Sequence, residues 1–299
     1  MVEVINPATE EVIERIESAT AEDTDAAVGR ARDAFPGWRS VVPADRARLL
    51  RRLAEALDSE RENLVRLESQ NVGKPLDGAR GEIDMVVETF NYYAGAPERL
   101  LGDTIPVSGG VNMTFREPLG VVGLIVPWNF PLQIASWKMA PALAAGNTFV
   151  LKPAEVTPLT ALEFERIALE AGIPEGVVNV VVGPGSEVGQ TLAEHPDVAK
   201  VAFTGSTEVG RKIMAGASGT IKRVTLELGG KSASVVFADA DLEAAAAAAP
   251  AAVFDNAGQD CCARSRILVE RSVFDDFLDL LEPAVTSLRV GDPLDEETD

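Results

Sequence analysis

The sequence predicts an α/β protein: a helical N-terminal region, then a parallel sheet covered by helices on both faces, then the opening elements of a second α/β unit. Three observations predict it. Apolar residues recur at helical spacing between residue 20 and about residue 100. From Gly120 the pattern changes to apolar runs of strand length separated by helix-sized segments, and a second such series begins at Val235. Runs that are apolar throughout belong to strands buried on both faces, as in parallel sheets.

Taken in order, Thr20 and Asp23 are spaced as a capping box ahead of Ala26, Ala27, Val28 and Ala31. Over 43–70, Leu49, Leu50, Leu53, Leu57, Leu64 and Leu67 hold a helical stripe among Arg and Glu. Gly73-Lys74-Pro75 ends that helix, and 81–100 reads as another. Strands are expected at 121–126, 148–151, 177–182, 201–203 and 224–226, with a helix over 131–145 after the first. Val235-Val236-Phe237, a helix from Asp241 and a strand at 267–269 open the second series, and the alanine run 244–249 reads as a buried helix.

Composition bounds the function. With 46% hydrophobic residues over 299 positions the chain is globular rather than disordered. The net charge of −20 argues against nucleic acid or an anionic membrane as partner. Seven lysines against twenty arginines, on an acidic background, match the surface of a protein from a very salty cytoplasm. The two cysteines, Cys261 and Cys262, are adjacent and cannot build a disulfide framework, which points to the cytosol. The acidic N-terminus, broken at Pro7, is no signal peptide, and the longest apolar run, 244–254, is too short to span a bilayer. A cytoplasmic localisation is expected.

Two glycine-rich turns follow strands. Gly183-Pro184-Gly185-Ser186-Glu187-Val188-Gly189 approximates G-x-G-x-x-G with one residue too many, and reads equally as a plain strand-to-helix turn. In Phe203-Thr204-Gly205-Ser206-Thr207-Glu208-Val209-Gly210, the glycine ends a strand and the hydroxyls can cap the next helix, whose free amides suit an anion. Phe254 to Cys261 is polar, glycine-bearing and ends in a thiol. The lone His195, between Glu194 and Pro196, is a bystander, so any base working with Cys261 must be a carboxylate. A zinc site needs more clustered cysteines or histidines, and no metal is expected.

Asn6-Pro7-Ala8-Thr9, Pro127-Trp128-Asn129-Phe130-Pro131, Leu151-Lys152-Pro153-Ala154-Glu155, Phe203 to Thr207, Leu226-Glu227-Leu228-Gly229-Gly230-Lys231 and Phe254 to Cys261 resemble, in order and spacing, motifs of the aldehyde dehydrogenase superfamily. The resemblance implies a Rossmann-like cofactor domain within 1–229, including an oligomerisation-type hairpin near 101–117, and an incomplete catalytic domain over 230–299. It implies that Cys261 attacks the aldehyde to give a thiohemiacetal, while the Asn129 amide and the Cys261 N–H hold the oxyanion. Glu227 matches the general base that hydrolyses the thioester. Lys138 matches a lysine linked to proton relay and reads equally as a structural helix lysine. Cys262 is left with packing or redox sensitivity.

For the cofactor, the resemblance implies NAD in preference to NADP, because Glu155 would repel a 2′-phosphate. Lys152 and Glu155 would hold the adenosine ribose, Gly205 and Ser206 the pyrophosphate, with Pro127 and Trp128 nearby. Gly185 would lie at the adenine rim, and the Leu228 backbone would meet the nicotinamide amide. The family's Ala-Gly-Ser-Arg after the cysteine is here Ala263-Arg264-Ser265-Arg266. Tyr92-Tyr93-Ala94-Gly95 and Gly258 to Cys261 resemble the amino- and betaine-aldehyde branch, although the aldehyde itself is not specified.

By the same resemblance the chain stops inside the family's catalytic domain, before its Glu-x-Phe-Gly-Pro stretch. That leaves Val235, Val236 and Ile267 as expected exposed apolar edges, and a homo-oligomer is expected only where the remaining segment is present. Two other readings stand beside the dehydrogenase: a remnant that binds nucleotide or a partner chain without turnover, and a thiol-based redox or metal sensor. Asn129 and Glu227 favour the dehydrogenase over the sensor, which needs neither an oxyanion donor nor a base.

Overall fold

The computed structural model describes residues 1–299. At its N-terminus lies an antiparallel hairpin, β1 (Val2–Ile5) and β2 (Val12–Ile16), to which the sequence reading assigned no strand. Asn6 makes the turn: its side-chain oxygen accepts from Ala8 N at 2.9 Å and its carbonyl from Glu10 N at 2.8 Å. Four helices follow: α1 (Ala21–Ser40), α2 (Pro43–Ser59), α3 (Arg61–Val72) and α4 (Leu76–Ala94). The capping box at Thr20 and Asp23 forms in both directions. The single helix expected over 43–70 is broken at Glu60, whose ψ of 8° steps out of the helical region. The helix expected over 81–100 starts earlier and stops earlier. Pro75 is tolerated ahead of a first turn, so α4 begins directly after it, whereas Gly95 and the donor-less Pro97 close it.

After the exposed hairpin of β3 (Thr104–Val107) and β4 (Gly110–Met113) comes the parallel sheet. Its elements alternate: β5 (Val121–Ile125), α5 (Pro131–Ala144), β6 (Thr148–Lys152), α6 (Leu159–Glu170), β7 (Val178–Val180), α7 (Gln190–Glu194), β8 (Val198–Gly205), α8 (Thr207–Ser218) and β9 (Arg223–Leu228). The spatial order is β7-β6-β5-β8-β9, with every pair parallel. Side chains of the central strands alternate between two cores. Val122, Leu124, Phe149 and Leu151 pack with α2 to α6, whereas Val121, Ile125 and Val150 pack with α1, α7 and α8. The chain runs outward from β5 through β6 to β7, then returns to the other side of β5 as β8. That reversal opens a crevice at the carboxyl ends of β5, β6 and β8.

A second, two-stranded parallel sheet pairs β10 (Ala233–Val236) with β11 (Arg266–Val269), flanked by α9 (Leu242–Ala248), α10 (Ala251–Gly258) and α11 (Phe274–Thr286). Only Val236, Ala246 and Phe277 form a buried core there. Two expectations are corrected. The alanine run is not a buried helix, because Ala246 alone is buried and Ala244, Ala247 and Ala248 face out. Val236 is covered by Ala246 and Phe277, so Val235 and Leu268 carry the exposed apolar edge, with Ile267 half-buried. Residues near the C-terminus reach back to the helices, where Leu76 N donates to Pro293 O at 3.1 Å and Arg80 pairs with Glu296. No helix is long and apolar enough to cross a membrane.

The loop from 183 to 189 holds glycines for opposite reasons. A Cβ at Gly183 would lie 2.5 Å from the Ala19 carbonyl oxygen, whereas at Gly185 it would meet nothing within 4 Å. Gly183→Ala should therefore lower stability by about 1–3 kcal/mol. Gly185→Ala should change it by less than about 0.5 kcal/mol. Paired denaturant melts check this, and equal losses would show that the tight approach at Gly183 is immaterial.

Candidate active site

The crevice at the strand ends is a cleft of about 700 Å³. Pro127, Trp128 and Asn129 enter from the end of β5, Lys152 and Glu155 from β6, Gly185 from the following loop, and Gly205 and Ser206 from β8. Leu228 enters from β9 and Cys261 from the turn after α10. Ten of the residues singled out in the sequence thus share one cavity.

One half of the cleft is suited to phosphate and sugar. Ser206 caps α8, its Oγ accepting from Val209 N at 3.2 Å, and presents the helix N-terminus at the wall. Gly205 lies against the Phe203 ring, where a Cβ would come within 2.5 Å. Gly210 lets α8 sit on β9, since a Cβ there would meet Leu228 at 2.9 Å. The Lys152 ammonium is buried and donates to Pro153 O at 2.8 Å; burial pulls its pKa down, against the opposing charge of Glu155. Thr204 Oγ1 is buried on the same wall without a hydrogen-bond partner, and the open space at Gly185 continues the groove.

The other half is built by an irregular turn. After Asp255 the chain leaves the helix, and Asn256, Ala257 and Gly258 take left-handed φ of 54°, 55° and 73°. Asn and Gly accept that region, whereas for Ala257 it costs about 1–2 kcal/mol. Asn256 holds the turn: buried, it donates to Asn129 O at 2.9 Å and Gln259 O at 3.1 Å. Asn129 Nδ2 donates to the same Gln259 carbonyl at 2.8 Å, which engages one of its two N–H bonds. The Cys261 thiol is pushed up to about 11, first by burial and then by its neighbour Cys262. Asn256 and Gln259 lay inside the quoted motif but were not singled out; an Asn two residues before a Gly was the available signal for a left-handed turn.

Glu227 and Lys138 do not line the cleft. Glu227 is exposed on the edge strand β9, and its carboxylate makes no hydrogen bond or ion pair. Lys138, on α5, is brought down to about 8 by burial, against the opposing charge of Glu227, with Lys200 adding to the fall. The end of β9 approaches the thiol turn, because a Cβ at Gly230 would lie 3.9 Å from Cys261 O. His195 stands apart, with Nε2 2.9 Å from Asp25 and Nδ1 accepting from Asp197 N at 3.0 Å.

A buried charge cluster behind the cleft was missed entirely. Lys74 is fully buried and pairs with Glu82 and, at 3.6 Å, with Glu68. Its ammonium also stands 4.9 Å from the centre of the Phe130 ring, next to Asn129. Glu68 accepts from Thr160 Oγ1 at 2.8 Å. Burial raises Glu82 to about 8, with Lys74 pulling the other way. The signal in the sequence was only Gly73-Lys74-Pro75, which reads as a helix break.

Comparison with known proteins is consistent along the whole chain. The model of the aldehyde dehydrogenase family matches residues 1–299. The chain is 46% identical to the cytosolic 10-formyltetrahydrofolate dehydrogenase of Homo sapiens, covering 99% of this chain and 34% of that protein. It is also 46% identical to betaine aldehyde dehydrogenase 1 of Oryza sativa subsp. japonica, covering 98% of this chain and 60% of that one. The structure of an aldehyde dehydrogenase from Bacillus cereus in complex with NAD+ superposes with a TM-score of 0.97 at 46% identity, covering 99% of this chain and 61% of the other. The chain thus spans between a third and three fifths of the length of these relatives.

Two outcomes follow from the charges. Lys74→Met leaves Glu68 and Glu82 buried without a cation and should cost about 3–5 kcal/mol. Equilibrium unfolding reads this directly, and a loss below about 1 kcal/mol would mean water or protonation already relieves the pair. With its thiol raised to about 11, Cys261 should react with iodoacetamide at a rate climbing about tenfold per pH unit from neutrality upward. A plateau below pH 9 in the free chain would contradict that environment.

Proposed function

The chain belongs to the aldehyde dehydrogenase family, and from that premise we propose that it oxidises a small aldehyde to the carboxylic acid with NAD, through a covalent intermediate on Cys261. The observation that carries this reading is the single cleft lined together by Ser206 at its helix N-terminus, Lys152, Glu155, Asn129 and Cys261. The groove fits a dinucleotide on its own features: an unpartnered Thr204 hydroxyl, free amides at α8 and the open space at Gly185. Bound there, the cofactor supplies an acceptor for hydride. Glu155 favours a free ribose hydroxyl over a phosphate.

The chain's own residues do the rest. Cys261 releases its proton to solvent, its sulfur bonds to the carbonyl carbon, and the carbon–oxygen π pair moves to the oxygen to give an alkoxide. The second N–H of Asn129 and the Cys261 backbone amide stabilise that oxygen without the positive charge that would trap it. Loss of hydride leaves a thioester. Glu227, held by no partner on its exposed strand, turns toward the acyl carbon and takes a proton from the attacking water. The carbon–sulfur bond then breaks and the thiol is restored. Lys138, brought to about 8 beside Glu227, is placed to pass that proton on.

A cationic aldehyde suits the exposed groove formed by Met85, Glu88, Tyr92, Tyr93 and Trp137, where aromatic faces and a carboxylate meet. The hairpin of β3 and β4 carries exposed Ile105, Val107, Val111 and Met113, a surface that a second copy would cover. A cytoplasmic setting accords with the two unpaired cysteines.

Following NADH absorbance after mixing with NAD and aldehyde tests the mechanism. Cys261→Ser should lower oxidation by more than about a thousandfold while nucleotide binding persists. Glu227→Gln should release one NADH per chain in a burst and then stall at the thioester. Undiminished oxidation by the serine variant would remove Cys261 from the chemistry, and an unchanged steady state in the glutamine variant would remove Glu227.

A further inference from the structure

Cys261 and Cys262 are the chain's only cysteines, and the fold brings both thiols to one side of the same turn. In an extended strand consecutive side chains would point apart. Here the turn that follows the left-handed residues 256–258 sets the two sulfurs 3.8 Å from each other. Cys262 N donates to Asp260 Oδ1 at 2.9 Å, which draws the carboxylate over the same turn. One ligand atom from each of Asp260, Cys261 and Cys262 lies within 4.8 Å of the other two.

The sulfur separation also suits a shared ion. Zinc–thiolate bonds of about 2.3 Å at a tetrahedral angle place two sulfurs about 3.8 Å apart. A disulfide would need them at about 2.0 Å and a rebuilt turn. Neither thiol bonds to anything but the other, and both are exposed. The net charge of −20 raises the local concentration of cations.

We propose that Asp260, Cys261 and Cys262 form a binding site for a thiophilic divalent cation, zinc or cadmium, held by two thiolates and one carboxylate with solvent in the fourth position. Each thiol releases its proton to solvent as its metal–sulfur bond forms, and no electron is transferred. Soft sulfur ligands exclude magnesium and calcium from such a site. This departs from the expectation, drawn from the sequence, of no metal for want of clustered cysteines or histidines. An open three-ligand site needs no more than this turn supplies. Resting on the reading of Cys261 as nucleophile, the consequence is reversible inhibition, because the bound ion occupies the reacting sulfur.

Titration of the chain with cadmium, read by the ultraviolet thiolate-to-cadmium charge-transfer band, tests the site. With only two thiols present, the band reports on this pair alone. It should saturate at one cadmium per chain and be displaced by zinc. Cys262→Ser should halve the band per ion and weaken binding by more than about tenfold. Asp260→Asn should weaken binding while leaving the band per ion unchanged. Cadmium should also protect Cys261 from iodoacetamide in the unaltered chain and fail to do so, at the same concentration, in Cys262→Ser.

Unchanged affinity in Cys262→Ser, or saturation at one cadmium per two chains, would overturn the proposal. The outcome is separable from the catalytic reading. A cadmium band of the expected kind in a chain whose Cys261→Ser variant still oxidises aldehyde sinks the nucleophile and leaves the site. An inactive Cys261→Ser variant with no band in the parent sinks the site and leaves the nucleophile.

Discussion

The Lys74 ammonium is the constraint on which the cleft depends. It is fully buried and partly neutralises two carboxylates, Glu68 from α3 and Glu82 from α4, while resting against the Phe130 ring. Removing the ammonium would leave two carboxylates facing each other in a medium that cannot solvate them. The cluster therefore fixes how α3 and α4 meet the loop between β5 and α5. That loop carries Trp128 and Asn129, and Asn129 in turn is bonded to the thiol turn through Gln259 and Asn256. Gln259 Nε2 also reaches back to Val72 O, at the end of α3. A chain of contacts thus runs from a buried ion cluster to the sulfur, through groups whose bonding geometry leaves little slack.

The sheet supplies the other half of the arrangement. Reversal of direction at β5 makes a crevice without any insertion or special loop, and the strand ends deliver Lys152, Gly205 and Leu228 to its walls. What the sheet cannot supply is the thiol. Cys261 comes from a segment whose own sheet has two strands and a buried core of three side chains. The positional accuracy of the sulfur therefore comes from the Asn256 and Gln259 bonds to the first unit, more than from the packing beneath it.

How legible this was in the sequence follows from the kind of signal involved. The buried strands showed because parallel sheets need unbroken apolar runs, and 121–126 and 148–151 contain them. The Thr20 cap showed because its residues are local. The β1–β2 hairpin did not, since Glu and Arg interleave its valines and isoleucines, and the turn depends on the Asn6 side chain. Helix ends near Pro75 and Gly95 were misplaced by several residues because Pro both starts and stops helices. The alanine run misled because alanine is as content in water as in a core. The members of the cleft were legible through motifs, but the partners that hold them were not. Lys74, Glu68 and Glu82 look like surface charges until a fold buries them together.

The thiol turn has one further consequence. Every titratable group that acts on Cys261 in the chain itself, Cys262 and Asp260, disfavours its thiolate, and burial adds to them. Beside the turn, the Asn129 side-chain amide keeps one N–H uncommitted, while Asn256 holds the Asn129 backbone carbonyl. Burial and the neighbouring acidic groups thus weigh against the Cys261 thiolate, with a backbone hydrogen bond alone in its favour. On the proposed metal site, a cation held across Cys261 and Cys262 would reverse that balance by pairing with both sulfurs. On that proposal the neighbouring cysteine competes, through the shared ion, for the sulfur on which the proposed chemistry depends.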